Sequence, residues 1–277
     1  MKSDLGKGKV VLAGAGPGDP ELITLKALRY LQQADVVITD RLVSEELIQQ
    51  HVREGAELIY VGKQAGKEDS TAQTTINDLL VKHALRNKLV VRLKGGDVSF
   101  YSNILGELKT LHEFKIPFEI VPGITAASGA AAYAGIPLTA RGYATAVRFL
   151  TYHQSHLLDD AKWKDLAGTD DTLVFYMSAD KADRLVEKLL DHKIASTKQM
   201  AIIEQATTPF QNVQVFNIYE YEAKADRKIL MSPSLIIVGN VVALHESFQW
   251  KPNNHTQVNY FKQVDEVKNT VKSLKLK

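Results

Sequence analysis

The first half of this chain alternates short apolar runs with helical patterns, and that alternation constrains the fold more than any other feature. Val10 to Ala13, Val36 to Thr39, Leu58 to Val61, Leu89 to Leu93 and Phe118 to Val121 read as strands. Between them, residues 21–33 place Leu22, Leu25, Leu28 and Leu31 on or near one helical face. Ser44-Glu45-Glu46 caps a second helix, and residues 75–86 and about 105–114 carry two more. Strands alternating with helices imply a mainly parallel sheet with helices on both faces. Each strand runs out into glycine or polar residues: Gly14, Asp40, Lys63, Gly95 to Asp97, and Pro122-Gly123. Ligands of open α/β sheets bind outside the carboxyl ends of the strands, so these five loops point at one region.

The first loop, Gly14-Ala15-Gly16-Pro17-Gly18-Asp19-Pro20, joins a strand to a helix start. Glycines there permit positive φ and close approach of a ligand to the backbone. Gly14 and Gly16 match the start of a dinucleotide fingerprint, and Asp40 sits about where its ribose-binding acid belongs. Asp19 stands at the third glycine position, however, and Pro17 and Pro20 stiffen the loop. Asp19 suits an N-cap and Pro20 a first helical residue. Alone, this loop leaves nucleotide binding and a structural turn both open.

After Gly123 the texture changes. Residues 125–135 form a helix of small residues, and Val147 to Thr151, Thr172 to Met177, Met200 to Glu204, Val213 to Phe216 and Ser234 to Val238 read as strands with fewer helices between them. This fits a mixed sheet. Residues 153–171 read as a polar loop or short helix. The expected organisation is an N-terminal α/β domain over 9–122, a C-terminal α/β domain over 123–248 and a Lys-rich tail over 249–277. Helical spacing of Tyr260, Val264, Val267, Val271 and Leu274 makes that tail an expected amphipathic helix with a solvated lysine face.

The chain has 277 residues, a formal net charge of +2 and no cysteine. The charge gives no argument for nucleic acid. The missing cysteines exclude disulfides, thiolate metal sites and cysteine nucleophiles, and no metal-ligand set is identified. No run approaches the ~20 apolar residues of a bilayer span, so no membrane partner is expected and the cytoplasm is the expected location.

The segments resemble, in order, those of the tetrapyrrole methylase family. They are Gly14 to Pro20, Ala34 to Ser44, Tyr60 to Lys63, Val91 to Asp97, Ile116 to Gly129, Ala134 to Thr139, Thr172 to Met177 and Ile236 to Gly239, covering roughly residues 9–246. The resemblance implies two α/β domains with a ligand cleft between them, a homodimer, and S-adenosylmethionine as methyl donor, leaving S-adenosylhomocysteine. It implies C-methylation of a reduced tetrapyrrole, uroporphyrinogen III, at two ring carbons. By this resemblance the cofactor contacts are Pro17, Gly95, Gly96, Asp97, Phe100, Thr125, Ala126, Met177 and Ala206; the family usually has an aliphatic residue at Phe100 and glycine at Ala206. Family usage makes Asp40 a proton acceptor and Lys63 a proton donor, although Asp40 also suits a backbone-capping role and Lys63 a carboxylate contact. A substrate with eight carboxylates needs cations, and Arg41, Lys63, Arg141 and Arg148 are the candidates.

The resemblance weakens between Val98 and Gly106. Where the family continues Pro-Phe-Ile-Phe-Gly-Arg-Gly-Gly, this chain reads Val98-Ser99-Phe100-Tyr101-Ser102-Asn103-Ile104-Leu105. Asn103 replaces an arginine expected to serve the substrate, and Ile104 and Leu105 replace glycines. Ala140-Arg141-Gly142 replaces His-Arg-Asp, Tyr152 replaces a glycine, and residues 67–70 lack a common histidine. Three alternatives therefore accompany the expected activity: a methylase of a related tetrapyrrole, a weakly active paralogue that binds cofactor or tetrapyrrole, and, more remotely, an NAD-dependent oxidoreductase.

Overall fold

The computed structural model describes residues 8–62, 72–152, 158–225 and 230–261. They form two compact units, one spanning residues 8–125 with Tyr260 and Phe261, the other Ala126–Asn259.

The first unit holds strands β1 (Lys9–Gly14), β2 (Val36–Thr39), β3 (Glu57–Tyr60), β4 (Leu89–Lys94) and β5 (Phe118–Val121). All pair in parallel, in the order β3-β2-β4-β1-β5. Helices α1 (Leu25–Leu31), α2 (Glu45–His51), α3 (Gln73–Ala84) and α4 (Leu105–Glu113) connect them. Strand periodicity splits the core in two. Val11, Ala13, Val37, Val91 and Leu93 face α1 and α2 through Ala27, Leu31, Leu47 and Ile48. Val10, Leu12, Val36, Ile38 and Val90 face α3 and α4 through Ile76, Leu80 and Leu111.

This sorting has a topological cause. Crossovers to β2 and β3 run one way along the sheet and pack on the first face; crossovers to β4 and β5 run the other way and pack on the second. Right-handed connections require that arrangement. The neighbours β1 and β4 therefore send their chains in opposite directions across opposite faces. Their carboxyl ends form the topological switch point, the place where open α/β sheets bind their ligands.

Residues 21–33 were expected as one helix and instead form two pieces. Asp19 accepts the Glu21 N–H at 2.9 Å and caps a 3-10 turn, Pro20–Leu22, with Pro20 in its first position. Ile23 is then extended (ψ 139°), which ends that turn. Thr24 caps α1 through the Ala27 N–H.

In the second unit, β6 (Val147–Thr151), β7 (Thr172–Tyr176), β8 (Gln199–Glu204), β9 (Asn212–Asn217) and β10 (Ser234–Gly239) take the order β6-β7-β10-β8-β9. The β6–β7 pair is parallel and the others antiparallel, which is the expected mixed sheet. The small-residue segment is α5 (Ala126–Ala134), whose Ala127, Ala130 and Ala134 lie on Val174, Ala201, Ile203 and Ile237. Short side chains bring α5 close enough for the Ala127 N–H to reach the Tyr176 hydroxyl at 3.0 Å. The opposite face is covered by α6 (Asp160–Gly168) and α7 (Ala182–Asp191). Asp159 caps α6. Helix α7 was not singled out from the sequence, although Ala182, Leu185, Val186 and Leu189 have helical spacing and are buried.

The boundary falls at Thr125, a few residues beyond the expected Pro122-Gly123. Gly123 is held in the first unit because its N–H donates to Asp97 Oδ2 at 2.8 Å. The expected tail also begins differently. Residues 249–259 belong to the second unit and are not helical. Trp250 Nε1 donates to Ala132 O at 2.8 Å, and the Asn253 side chain exchanges two hydrogen bonds with the Val213 backbone. The helical reading of the tail falls on residues 262–277, outside the described residues. No helix among the described residues is long and apolar enough to cross a membrane.

Candidate functional site

At the carboxyl edge of the first unit, three glycine loops lock together through their backbones. Gly16 and Gly96 exchange N–H···O bonds of 3.1 and 2.7 Å, bridging the loops after β1 and β4. Both have positive φ, +82° and +69°, which favours glycine. A Cβ on Gly14 would stand 2.6 Å from Gly96 O and 2.7 Å from Gly123. A Cβ on Gly95 would stand 2.8 Å from Leu42. These glycines therefore permit backbone-to-backbone packing of the loops after β1, β2, β4 and β5.

Asp97 staples the same loops. Its carboxylate is buried and accepts the Ser99 N–H at 2.7 Å and the Gly123 N–H at 2.8 Å. Pro17 is buried behind Gly16, whereas Phe100 is 39% exposed. Tyr101 and Asn103 have positive φ, 52° and 53°, so the altered segment is backbone-strained at non-glycine residues. Ile104 and Leu105 do not carry this strain: Ile104 is αR (φ −75°) at the cap position and Leu105 opens α4. Their replacement of glycine costs the loop no required freedom.

Asp40 follows β2. Its Oδ1 accepts the Leu42 N–H at 3.1 Å, and its Oδ2 lies 3.9 Å from Arg92 Nη2. Its side chain is 22% exposed, so it caps its own turn while remaining reachable. Arg41 beside it is more confined. Burial holds its pKa below the usual value, with the charge of Asp40 opposing that effect, and among the described residues its buried Nε has no hydrogen-bond partner. An orphan guanidinium donor of this kind invites an anion. Lys63 lies outside the described residues, as do residues 67–70.

Behind Asp40 lies a charged cluster that sequence reasoning missed. Arg92 and Lys94 on β4 and Glu107 on α4 are all buried. Arg92 Nε donates to Glu107 Oε1 at 3.1 Å, and its Nη1 donates to Ile38 O and Leu93 O. Lys94 Nζ bonds both Glu107 oxygens at 3.2–3.3 Å. Burial and the neighbouring Arg92 push the Lys94 pKa down, against the pull of Glu107. The available signal was three charges inside otherwise apolar strand and helix faces.

In the second unit, the expected cofactor positions sit at strained strand ends. Met177 directly follows β7 with φ +51° and is 52% exposed. Ala206 lies between Gln205 and Thr207, which have φ values of 45° and 69°. Both neighbours are buried, and Thr207 N–H donates to Gln211 Oε1 at 2.8 Å. Ala126 opens α5, and Thr125 precedes it as the last residue of the first unit. Strain of this kind concentrates at ligand sites.

The remaining substrate candidates differ. Asn103 and Arg141 are exposed. Arg148 is committed elsewhere: it donates to Asp171 at 2.6 Å, Asp165 at 2.7 Å and Thr169 at 3.0 Å. These bonds raise its pKa, Asp165 foremost, and describe a structural ion pair. Tyr152 does not crowd a site. Its ring is buried against Trp163, with centroids 5.2 Å apart and planes at 85°, inside the apolar core. Among the described residues, no group of three His, Cys, Asp or Glu could hold a metal.

Comparison with known proteins agrees with this architecture. The model of the family Tetrapyrrole (Corrin/Porphyrin) Methylases matches residues 9–222. A siroheme synthase 2 of Cronobacter sakazakii is 48% identical over 244 residues, covering 88% of this chain and 52% of the relative. The chain thus spans about half the length of the curated relatives it matches. A uroporphyrin-III C-methyltransferase of Thermus thermophilus, 34% identical, superposes with a TM-score of 0.73 over 90% of this chain and 98% of that one. Another structure of uroporphyrin-III C-methyltransferase from that organism, complexed with S-adenosylhomocysteine, gives a TM-score of 0.69 at 34% identity, over 85% and 93% of the two chains. With the switch-point loops and the mixed second sheet, these matches leave the dinucleotide reading of the first loop without support. The chain belongs to the tetrapyrrole methylase family.

Proposed function

We propose that this chain is an S-adenosylmethionine-dependent C-methyltransferase that methylates uroporphyrinogen III at two ring carbons to give precorrin-2, in siroheme- or cobalamin-type tetrapyrrole biosynthesis. The observation that carries the reading is the Asp40–Arg41 pair: an accessible carboxylate next to a half-buried guanidinium whose Nε has no partner among the described residues, at the sheet's carboxyl edge. A polycarboxylate that must lose a proton after attack asks for that combination.

The residues present suit S-adenosylmethionine. Gly95 and Gly96 are partly exposed at the switch point and add no side chain there, with Gly96 at φ +69°, and Met177 and the turn around Ala206 hold positive-φ backbone. The contacts that the resemblance implies for it are Pro17, Gly95, Gly96, Asp97, Phe100, Thr125, Ala126, Met177 and Ala206. When bound, it supplies an electrophilic methyl group on a sulfonium centre.

The chain's own residues then do three things. Arg41 receives a substrate carboxylate and fixes the ring over Asp40. Asp40 accepts the proton that the alkylated ring releases, and its turn keeps one oxygen occupied by the Leu42 N–H, aiming the other. The resemblance assigns Lys63 as a proton donor to the ring, a donation that must be matched by loss of a further ring N–H proton so that each methyl gained releases one proton overall. Positioning of the carbon nucleophile supplies much of the rate. A homodimer and a cytoplasmic location are the further expectations of this reading.

The test is anaerobic incubation with freshly reduced uroporphyrinogen III and S-adenosylmethionine, followed by mass and absorption spectra. A product heavier by two methyl groups is expected; unmethylated substrate alone would refute the activity. A thermal-shift comparison separates the remote alternative, because stabilisation by NAD and not by S-adenosylhomocysteine would favour an oxidoreductase.

One observation favours a second reading, a related substrate or a weak paralogue. Asn103 is exposed at φ +53°, where an arginine is expected from the resemblance. Asn103→Arg raises methylation of uroporphyrinogen III strongly if the loop is merely impaired, and changes little if the natural substrate differs.

A further inference from the structure

Tyr260 lies beyond residues 9–222 of the family match, yet it belongs to the first unit. Its hydroxyl shares a 2.8 Å hydrogen bond with Ser44 Oγ. Ser44 is itself buried and caps α2, its Oγ accepting the Leu47 N–H at 3.3 Å. A serine oxygen has two lone pairs, so it can serve both partners. Phe261, the next residue, is 3% exposed, and its ring meets that of Tyr260 edge-on with centroids 5.1 Å apart. The hydroxyl is thus anchored by a buried neighbour. Burial foremost holds the pKa of this hydroxyl above its usual value, the Ser44 hydrogen bond opposes that, and the charges of Glu46 and Asp19 add to the rise.

Ser44 is the far end of a short turn. The near end is Asp40, whose Oδ1 accepts the Leu42 N–H at 3.1 Å and whose backbone carbonyl accepts the Val43 N–H at 3.4 Å. Arg41, Leu42 and Val43 lie between. Leu42 packs under Gly95, with its Cβ and carbonyl oxygen each 2.8 Å from where a Cβ on that glycine would stand. The turn therefore has three fixings: the Asp40 bonds, the Gly95 contact, and Ser44. Only the last is shared with a residue from the end of the chain.

We propose that Tyr260 is a positioning residue for the Asp40–Arg41 turn, its hydroxyl clamping Ser44 so that the proton acceptor and the carboxylate-binding guanidinium keep their places. The proposal rests on the function proposed above. It gives a segment beyond the family match a task at the reaction site, and the rival is that residues 260–261 serve packing alone.

Tyr260→Phe separates the two, because it keeps the ring contact with Phe261 and removes one oxygen. Three readouts are needed: hydrogen exchange of residues 41–47, kcat and KM for uroporphyrinogen III, and S-adenosylhomocysteine affinity by calorimetry. Faster exchange at 41–47 is expected, with kcat lowered about 10-fold, the equivalent of one lost hydrogen bond, and cofactor affinity unchanged. Ser44→Thr, which keeps a hydroxyl, should retain activity, and the losses of Ser44→Ala and Tyr260→Phe should be less than additive in the double variant. Unchanged exchange in Tyr260→Phe overturns the clamp. Faster exchange with unchanged kcat also overturns it, reducing Tyr260 to packing. If wild-type protein does not methylate uroporphyrinogen III, the proposed substrate fails instead; the clamp is then judged on exchange alone, faster exchange supporting it and unchanged exchange refuting it.

Discussion

Replacing Glu107 with glutamine tests the physical reading of the buried cluster most sharply. Glu107 is 0% exposed and is the only carboxylate among the described residues within 3.5 Å of Arg92 and Lys94, at 3.1 and 3.2 Å. Asp40 is farther from Arg92, at 3.9 Å, and faces solvent in part. Glutamine keeps the shape and an acceptor oxygen but removes the charge, leaving two buried cations facing each other. Breaking a buried pair by removing one partner costs about 3–5 kcal/mol. At about 2–4 °C per kcal/mol for chains of this order, the melting temperature should fall by roughly 6–20 °C at pH 7.

The loss should shrink on raising the pH. Lys94 already has a folded-state pKa below its unfolded value, through burial first and Arg92 second, while Glu107 pulls it up. Without Glu107 it falls further. The unfolded chain then binds a proton that the folded chain lacks, so stability rises with pH between the folded and unfolded pKa values of Lys94. Urea unfolding of Glu107→Gln across pH 7–10 measures this. Adding Lys94→Met should recover about 1–2 kcal/mol, because it removes the stranded cation. A Glu107→Gln protein within about 1 kcal/mol of wild type at pH 7, or one whose deficit is flat with pH, refutes the reasoning.

Three other outcomes follow from the geometry. Gly14→Ala puts a methyl within 2.6–2.8 Å of Gly96 and Gly123; an overpacking cost of about 1–3 kcal/mol is expected, with weakened S-adenosylhomocysteine binding, read by denaturation and calorimetry. Arg41→Ala should raise KM for the tetrapyrrole by about 10–100-fold, the worth of one charge-assisted hydrogen bond, and leave S-adenosylhomocysteine affinity unchanged in steady-state and calorimetric assays. Glu119 on β5 is held down to a pKa of about 2 by Lys26, Lys9 and Tyr30. A depressed carboxylate adds stability above its unfolded pKa that is lost as pH falls through the folded one. Glu119→Gln should therefore flatten the stability profile between pH 4.5 and 2, modestly because the pair is partly exposed, as acid titration of the melting temperature will read.

What the sequence made legible, and what it did not, divides along a physical line. Backbone-level features were readable because their signals are local. The run Val10 to Ala13 ending in Gly14, and Asp19-Pro20 as cap and first turn, need only neighbouring residues to be interpreted, and both stand as expected. The small residues of α5 likewise announced close packing. Features that depend on long-range pairing were not readable. Arg148 was a candidate for a substrate carboxylate or for a surface ion pair, and only the fold shows which, with Asp165, Thr169 and Asp171 claiming it from 17, 21 and 23 residues away. Tyr152 looked like an intrusion, but Trp163 gives it a core partner. Arg92 and Lys94 looked like the ordinary end of a strand, and only the fold delivers Glu107 between them. The same distinction bears on function. The loops that pack through bare backbone, at Gly14, Gly96 and Gly123, were legible as a group, since glycine spacing encodes them. The electrostatic setting of Asp40 was not, because a carboxylate's task depends on which charges surround it. Here one neighbour, Arg92, has its other bonds committed, and the other, Arg41, has a donor unmet among the described residues. A proton acceptor needs a partner of the first kind to fix it and one of the second kind to bring an anionic substrate to it. That pairing links the fold to the proposed chemistry, and it arises only once β2, β4 and α4 are assembled.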